Sequence, residues 1–310
     1  MSIRTDLALE AHEICKENAR EASEIKGVSA EVEKFGALSV TKIKIIDENG
    51  EKALGKPIGK YITIEAPNIR YDAEEYEKTC EKIGENISEM MGDEESGTVL
   101  VVGLGNDEIT PDALGPDAAS GIIVTRHMRE HMGEDFKANF ADVCAISPGV
   151  LGTTGIETLS VIKGICEKVK PKTIIAIDAL AARNVDRIST TFQISDTGIQ
   201  PGAGVGNRRD GLNEENLGVK VIAVGVPTVV DAATIAIDSI GAAFEKNGRL
   251  SEAEAESIIR NGISENIAGL VVTPKDIDAV IEKAAKTIAN GINLALHKNL
   301  TLEEIESFAG

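Results

Sequence analysis

From Thr98 onward the chain alternates short apolar runs with stretches of helical spacing. Val99-Leu100-Val101-Val102 is closed by Gly103-Leu104-Gly105-Asn106, and Thr173-Ile174-Ile175-Ala176-Ile177 ends in Asp178. Short continuous apolar runs bounded by turn residues predict strands buried on both faces of a parallel sheet. The pattern places strands at 98–104, 143–147, 173–178, 187–195 and 219–224. It places helices at about 115–131, 157–169 and 229–244, the last with Thr228 as N-cap and Asp231 at N3. The fold class expected from this order is α/β, three-layer α/β/α, with a mostly parallel central sheet.

The flanks read differently. Residues 7–25 have helical spacing, and Lys42–Ile45 and Tyr61–Ile64 alternate around a turn at Asp47-Glu48-Asn49-Gly50, which predicts a hairpin at the sheet edge. Residues 71–91 read as an acidic amphipathic helix. Thr273-Pro274-Lys275-Asp276 has the order N-cap, N1 proline, N3 acid, opening a helix to about His297, and Thr301-Leu302-Glu303-Glu304 opens another. No repeat or low-complexity linker divides the chain. The expected organisation is one domain over 7–310: additions at 7–96, a core at 97–245 and C-terminal helices at 246–310.

Composition narrows the function classes. With 310 residues, 42% of them hydrophobic, the chain can bury a sizeable core. Aromatics are 3% and Trp is absent, which argues against a base-stacking surface. A net charge of −19 disfavours nonspecific binding to nucleic acid or an anionic membrane. Cys15, Cys80, Cys144 and Cys166 form no C-x-x-C pair, as in a reduced cytosolic protein. No apolar stretch approaches a membrane span and MSIRTDLALEAHE lacks an apolar h-region, so a cytoplasmic location is expected.

Two strand-end aspartates, Asp112 and Asp178, are the leading catalytic candidates. Ligands gather at the carboxyl edge of open α/β sheets. Two carboxylates held close there cannot both ionise cheaply, so the pair can serve as base toward water and acid toward a leaving amine. The bland alternative has Asp112 capping the next helix and Asp178 binding loop amides. Asp107 and Glu108 read as solvated charges, and Asp117 as a first-turn acid facing the helix dipole. The Gly103-Leu104-Gly105 turn lacks the third glycine of a dinucleotide fingerprint and is followed by acids.

Other loops offer binding groups. Ser147–Gly155, with Gly152, Thr153 and Thr154, follows a strand and opens a helix; its N–H groups suit a substrate carbonyl, or simply a tight connection. Gly198–Asn207 is a second glycine-rich loop, and Arg183, Arg208 and Arg209 are the nearby cations, suited to an acidic substrate residue or to surface ion pairs. His127-Met128-Arg129-Glu130-His131 fits H-x-x-E-H formally, but it lacks a third ligand and lies at the far end of its helix. Helix-end charge compensation accounts for both rings, and no metal or cofactor is expected.

SIRTDLALEA, EIKGV, GKYITIEAP, VVGLGNDEITPDALGP, SPGVLGTTGIET, IIAIDALAAR, ISDTGIQPGAGVGNRR and VGVPTVVDA occur in this order over most of residues 2–233. On these stretches the chain resembles the germination protease family of spore-forming bacteria, whose fold is similar to that of hydrogenase maturation peptidases. The resemblance implies an atypical aspartic-type endopeptidase of the spore core. It would be made as a zymogen, assembled as a homotetramer, and cleave small acid-soluble spore proteins after Glu or Asp and before an apolar residue. The family's two catalytic acids map onto Asp112 and Asp178. Self-processing at a like site maps onto Asp6–Leu7, making residues 1–6 a propeptide.

The chain departs from the family pattern at Gln200, where a histidine commonly stands. Maturation peptidases hold a metal with a histidine and two carboxylates, and glutamine is a poor ligand. Two rival readings are a metal-assisted peptidase, which a chelator would silence, and a non-catalytic binder of basic spore proteins, which would show no cleavage.

Overall fold

The computed structural model describes residues 5–18, 25–92, 97–129, 131–200, 210–236, 239 and 270–309. Helix α1 (Ala8–Asn18) precedes strands β1 (Val28–Phe35) and β2 (Leu38–Ile45), helix α2 (Glu48–Leu54), strand β3 (Gly59–Glu65) and helix α3 (Ala73–Met91). The core follows with β4 (Thr98–Gly103), α4 (Leu114–Ser120), α5 (Glu134–Asn139), β5 (Asp142–Ile146), α6 (Leu151–Thr154), α7 (Thr158–Val169) and β6 (Thr173–Ala182). Then come β7 (Thr191–Ser195), α8 (Glu214–Leu217), β8 (Lys220–Asp231), β9 (Val271–Val272), α9 (Ile277–Leu296) and α10 (Leu302–Ala309).

The strands form one sheet in the order β1-β2-β3-β7-β8-β6-β4-β5, with β9 on the end of β8. β5, β4, β6 and β8 are mutually parallel, as the alternating pattern predicts. β7 runs antiparallel to β8 and to β3. Only residues 183–190 join β6 to β7, too few for a helical crossover, so the chain must return antiparallel. The hairpin pair β2–β3 is present, extended by β1 at the edge.

Helices cover both faces. On one, α3, α4 and α9 bury Ile83, Leu114 and Ile288 against Val101, Ile175, Ile177 and Val224. On the other, α7 buries Ile162 against Leu100, Val102, Ile174 and Ala176. On that second face α1 packs over the hairpin through Ala8, Leu9, Ile43, Ile45 and Tyr61. Among the described residues no helix is long and apolar enough to cross a membrane.

Several boundaries differ from the sequence reading. The helix expected over 115–131 ends at Ser120. After Gly121 the β-branched run Ile122–Thr125 is drawn to the β5 edge: Thr125 N and Arg126 N both donate to Val143 O at 3.0 Å, and Val143 N donates to Thr125 Oγ1 at 3.0 Å. His127 and His131 therefore lie in successive turns rather than on one helix face, which removes the geometry of the H-x-x-E-H reading. The Asp47 turn opens α2, with Asp47 Oδ1 accepting from Asn49 N at 2.8 Å and Gly50 N at 3.2 Å.

Thr228 is not a helix cap, because β8 continues to Asp231. Asp231 itself caps the helical residues 232–236, accepting from Ala233 N at 2.8 Å. Thr273 likewise donates to Thr228 O at 3.0 Å, and α9 starts three residues later, after Asp276. Thr301 and Glu304 do form the reciprocal cap of α10.

Candidate active site

Strand β4 stops at Gly103, whose register partner in β6 is Ile177, and Leu104 N donates to Ile177 O at 2.8 Å. β6 runs on to Ala182, so Asp178 lies within the strand, one residue past the point where its neighbour ends, and not at the strand terminus that the sequence suggests. The Ala-Leu-Ala-Ala continuation stays extended because β8 pairs with it throughout, across a bulge at Leu180/Ala181. The notch beyond β4 is filled by the loop to α4, which carries Asp112 at the end of a 3₁₀ turn, Thr110–Asp112.

That loop is held tightly. Asp112 Oδ2 accepts from Asn106 N at 2.8 Å, Asp112 N donates to Ile109 O at 2.7 Å, and Thr228 Oγ1 on β8 donates to Pro111 O at 2.8 Å. Gly105 has φ +120°, and a Cβ there would lie 1.9 Å from Asp112 O. Only glycine permits this approach.

Asp112 and Asp178 line one cavity of about 1420 Å³. Asp178 is 7% exposed. Burial, then the nearby charges of Asp112 and Asp6, push its carboxyl well above the usual carboxylate range; a bond from Ala179 N at 2.9 Å opposes this. Burial also raises Asp112, against the Asn106 N–H bond. The two carboxyls thus share one cavity, and burial raises both, Asp178 the further because the charges of Asp112 and Asp6 add to it.

The same cavity holds the N-terminal segment. Asp6 N donates to Ala181 O at 2.9 Å, and the Asp6 carboxylate accepts from Ala181 N at 2.9 Å, so Asp6 clips onto the extended end of β6. Leu7 is fully buried among Leu180, Ala182, Ile188 and Val230. Asp6 O receives two donors, Lys56 Nζ at 2.9 Å and Gln193 Nε2 at 3.0 Å. Gln193 Oε1 accepts from Ala8 N at 2.6 Å, so one side chain brackets the Asp6–Leu7 bond. Thr5 Oγ1 accepts from Leu7 N at 3.0 Å and donates to Glu10, whose Oε2 and Oε1 also accept from Arg183 N and Asn184 N at 2.7 and 2.9 Å.

The other candidates divide between this cavity and other places. Gln200 lines the acid cavity. Gly152, Thr153 and Thr154 form exposed α6, where both threonine hydroxyls donate to Val150 O at 3.0 Å; they do not line that cavity. Arg183 borders a separate cavity of about 620 Å³ beside Glu10 and Glu13. Arg208, Arg209 and most of the Gly198–Asn207 loop lie outside the described residues. Among the described residues no three His, Cys, Asp or Glu side chains converge as metal ligands, and all four cysteines are free thiols. Lys56 and Gln193 were not singled out from the sequence. Gln193 does leave a trace there, as an amide inside the strand Thr191-Phe192-Gln193-Ile194-Ser195; Lys56 leaves none.

A family model described as "Germination protease" matches residues 8–249 and 242–309. A germination protease of Caldanaerobacter subterraneus subsp. tengcongensis is 48% identical over 320 residues, covering 98% of this chain and 97% of its own. One from Clostridium tetani is 45% identical over 323 residues, 99% of each chain, and one from Bacillus mycoides is 40% identical over 348 residues, 96% and 95%. Among solved structures, a NiFe hydrogenase maturation protease HycI from Thermococcus kodakarensis KOD1 aligns over 67% of this chain and 98% of its own. Its identity is 17% and its TM-score 0.35, too slight a likeness to build on.

Proposed function

The chain belongs to the germination protease family, and on that premise we propose that it is an aspartic-type endopeptidase whose acid pair is Asp112 and Asp178. The observation that supports the reading is that Asp6 lines the cavity that these two carboxylates line, with its own carboxylate on the Ala181 N–H. The next residue, Leu7, is buried beside it in an apolar pocket, so an acid-then-apolar dipeptide borders the pair. The substrates fitting such a site are proteins cut after Asp or Glu and before an apolar residue. We take them to be small acid-soluble spore proteins in the spore core.

In this reading residues 1–6 are a propeptide, and the chain is a zymogen held in a substrate-like pose. Ionised Asp112 takes a proton from a water as its oxygen attacks the Asp6 carbonyl carbon. Protonated Asp178 then gives its proton to the Leu7 nitrogen as the C–N bond breaks. The products are an Asp6 carboxyl terminus and a Leu7 amino terminus, with the pair's single proton restored after exchange with solvent. A homotetramer is the assembly proposed with this function. No step is routed through a metal: among the described residues no histidine completes a ligand set with the carboxylates, and Gln200 is a poor ligand.

The test is purification of the wild type, Asp112→Asn and Asp178→Asn chains, followed by N-terminal sequencing and digestion of a small acid-soluble spore protein. The wild type should yield a chain beginning at Leu7 and cut the substrate after acidic residues. Each Asn variant should retain Met1 and leave the substrate whole. Undiminished cleavage by either variant refutes the acid pair.

A further inference from the structure

We propose that the Lys56 ammonium and the Gln193 amide form the oxyanion-binding pair of this peptidase, at the cavity that the two carboxylates line. The inference rests on the reading of Asp6–Leu7 as that bond and adds two catalytic groups to it.

The sheet register sets the geometry. Gln193 on β7 and Asp178 on β6 share one register partner, Gly225 on the intervening β8. Residues in one cross-strand row face the same side, and two strand spacings separate the outer pair by about 10 Å. Leu180 lies over Gly225 in that span, and Asp6, held on Ala181, lines the same cavity as Asp178, Gln193 and Gly225. Gln193 reaches it from one flank, bonding the residues on either side of Leu7: Nε2 to Asp6 O and Oε1 to Ala8 N. Lys56 arrives from a third element, directly after Gly55, the left-handed cap of α2 at φ +64°.

Two donors on one carbonyl oxygen, one of them cationic, match what the reaction needs. When water adds to the Asp6 carbon, the C=O π pair moves onto that oxygen as negative charge. Donors already 2.9 and 3.0 Å away stabilise the alkoxide without reorganising, and they do so more than they stabilise the neutral carbonyl. When the intermediate collapses, the pair returns and the C–N bond breaks. Burial lowers the Lys56 pKa, opposed by the charges of Asp6 and Glu10, so the cation sits where its field is least screened by water. A purely structural Lys56 would instead tether the segment by satisfying a carbonyl and balancing those two acids.

The experiment distinguishes these roles in the full chain, where opening of Asp6–Leu7 is first order and independent of encounter. Intact-mass kinetics should show Lys56→Ala slowed by about 10²–10³-fold, the usual loss for one oxyanion donor. Methylammonium should restore part of that rate and Lys56→Arg should retain most of it, whereas the loss of a mere tether would not be made good by a free amine. Gln193→Glu, which keeps the acceptor for Ala8 N and loses the donor, should be slowed comparably. Should Lys56→Ala fail to fold, Lys56→Met carries the same expected slowing, with recovery by Lys56→Arg as its control and without methylammonium rescue, because methionine fills the space. Wild-type cleavage by the Lys56 variant, or a lost rate that neither methylammonium nor arginine recovers, overturns the inference. Failure of the underlying reading looks different: Asp112→Asn would open the bond at the wild-type rate, or the wild-type chain would never open there.

Discussion

Gly105→Ala tests the site without touching either acid. At φ +120° an alanine is strained by about 1–3 kcal/mol whatever surrounds it. Its Cβ would also lie 1.9 Å from Asp112 O, and ordinary contact starts at 3.4 Å, so the two must separate by 3.4 − 1.9 = 1.5 Å. Gly105 is flanked by the two bonds that fix the loop, Leu104 N to Ile177 O and Asn106 N to Asp112 Oδ2, so the displacement falls on the Asp112 turn. A misplacement of about 1 Å in a catalytic group costs on the order of 10²-fold in rate, and that is the predicted loss of Asp6–Leu7 cleavage. Gly36→Ala is the control: in the turn between β1 and β2 it carries a left-handed φ of +68° with nothing within 4 Å, so it should lose about 1 kcal/mol and keep its rate. Urea unfolding and intact-mass kinetics on both variants provide the two readouts. Gly105→Ala cleaving as fast as Gly36→Ala would refute the claim that this close approach aims Asp112.

Three further outcomes follow from the packing. Burial raises the folded Asp178 carboxyl above its ordinary 3.8, so folding takes up a proton; the associated stability is complete below 3.8 and is lost as pH climbs through the folded value. Asp178→Asn should therefore be the more stable chain at neutral pH and converge on wild type in acid, and urea midpoints across pH would expose the reverse. Arg187 grips Glu13 through two bonds of 2.7 Å and reaches Glu65 at 3.2 Å and Glu10 at 3.5 Å, with 12% of its side chain exposed. Arg187→Met strands these acids and should cost about 3–5 kcal/mol, read by chemical denaturation. Leu7→Ala empties a fully buried site and should cost up to about 2–5 kcal/mol, appearing as faster hydrogen exchange over residues 5–12; unchanged exchange would mean that the Leu7 pocket does not hold the segment.

Much of this was legible in residues alone. The runs at 99–102 and 173–177 are long enough, and apolar enough, to become strands under any packing, and the helix of 158–169 has a clear buried stripe. Both acids stand out because polar residues next to such runs must lie at an edge or be given partners. Length and direction were not legible. Ala179–Ala182 have no strand signature of their own, and the β-branched Thr228–Val230 also fit a capped helix start; both segments are extended because each pairs with the other, and because Leu7 covers Leu180. The 122–125 run lost its helix to β5, a partner about twenty residues away.

The chain's own pattern therefore determined an α/β sandwich and offered two acidic side chains as candidates, since burial periodicity and turn chemistry are local properties. Which groups surround those acids was decided by tertiary structure. Lys56 follows a short helix, Gln193 belongs to an antiparallel strand and Asp6 precedes the first helix, and the clip of Asp6 onto Ala181 brings its carbonyl within reach of both donors. Nothing in the residues next to Lys56 encodes that neighbourhood, because contacts between distant segments are fixed by sheet order and not by sequence spacing.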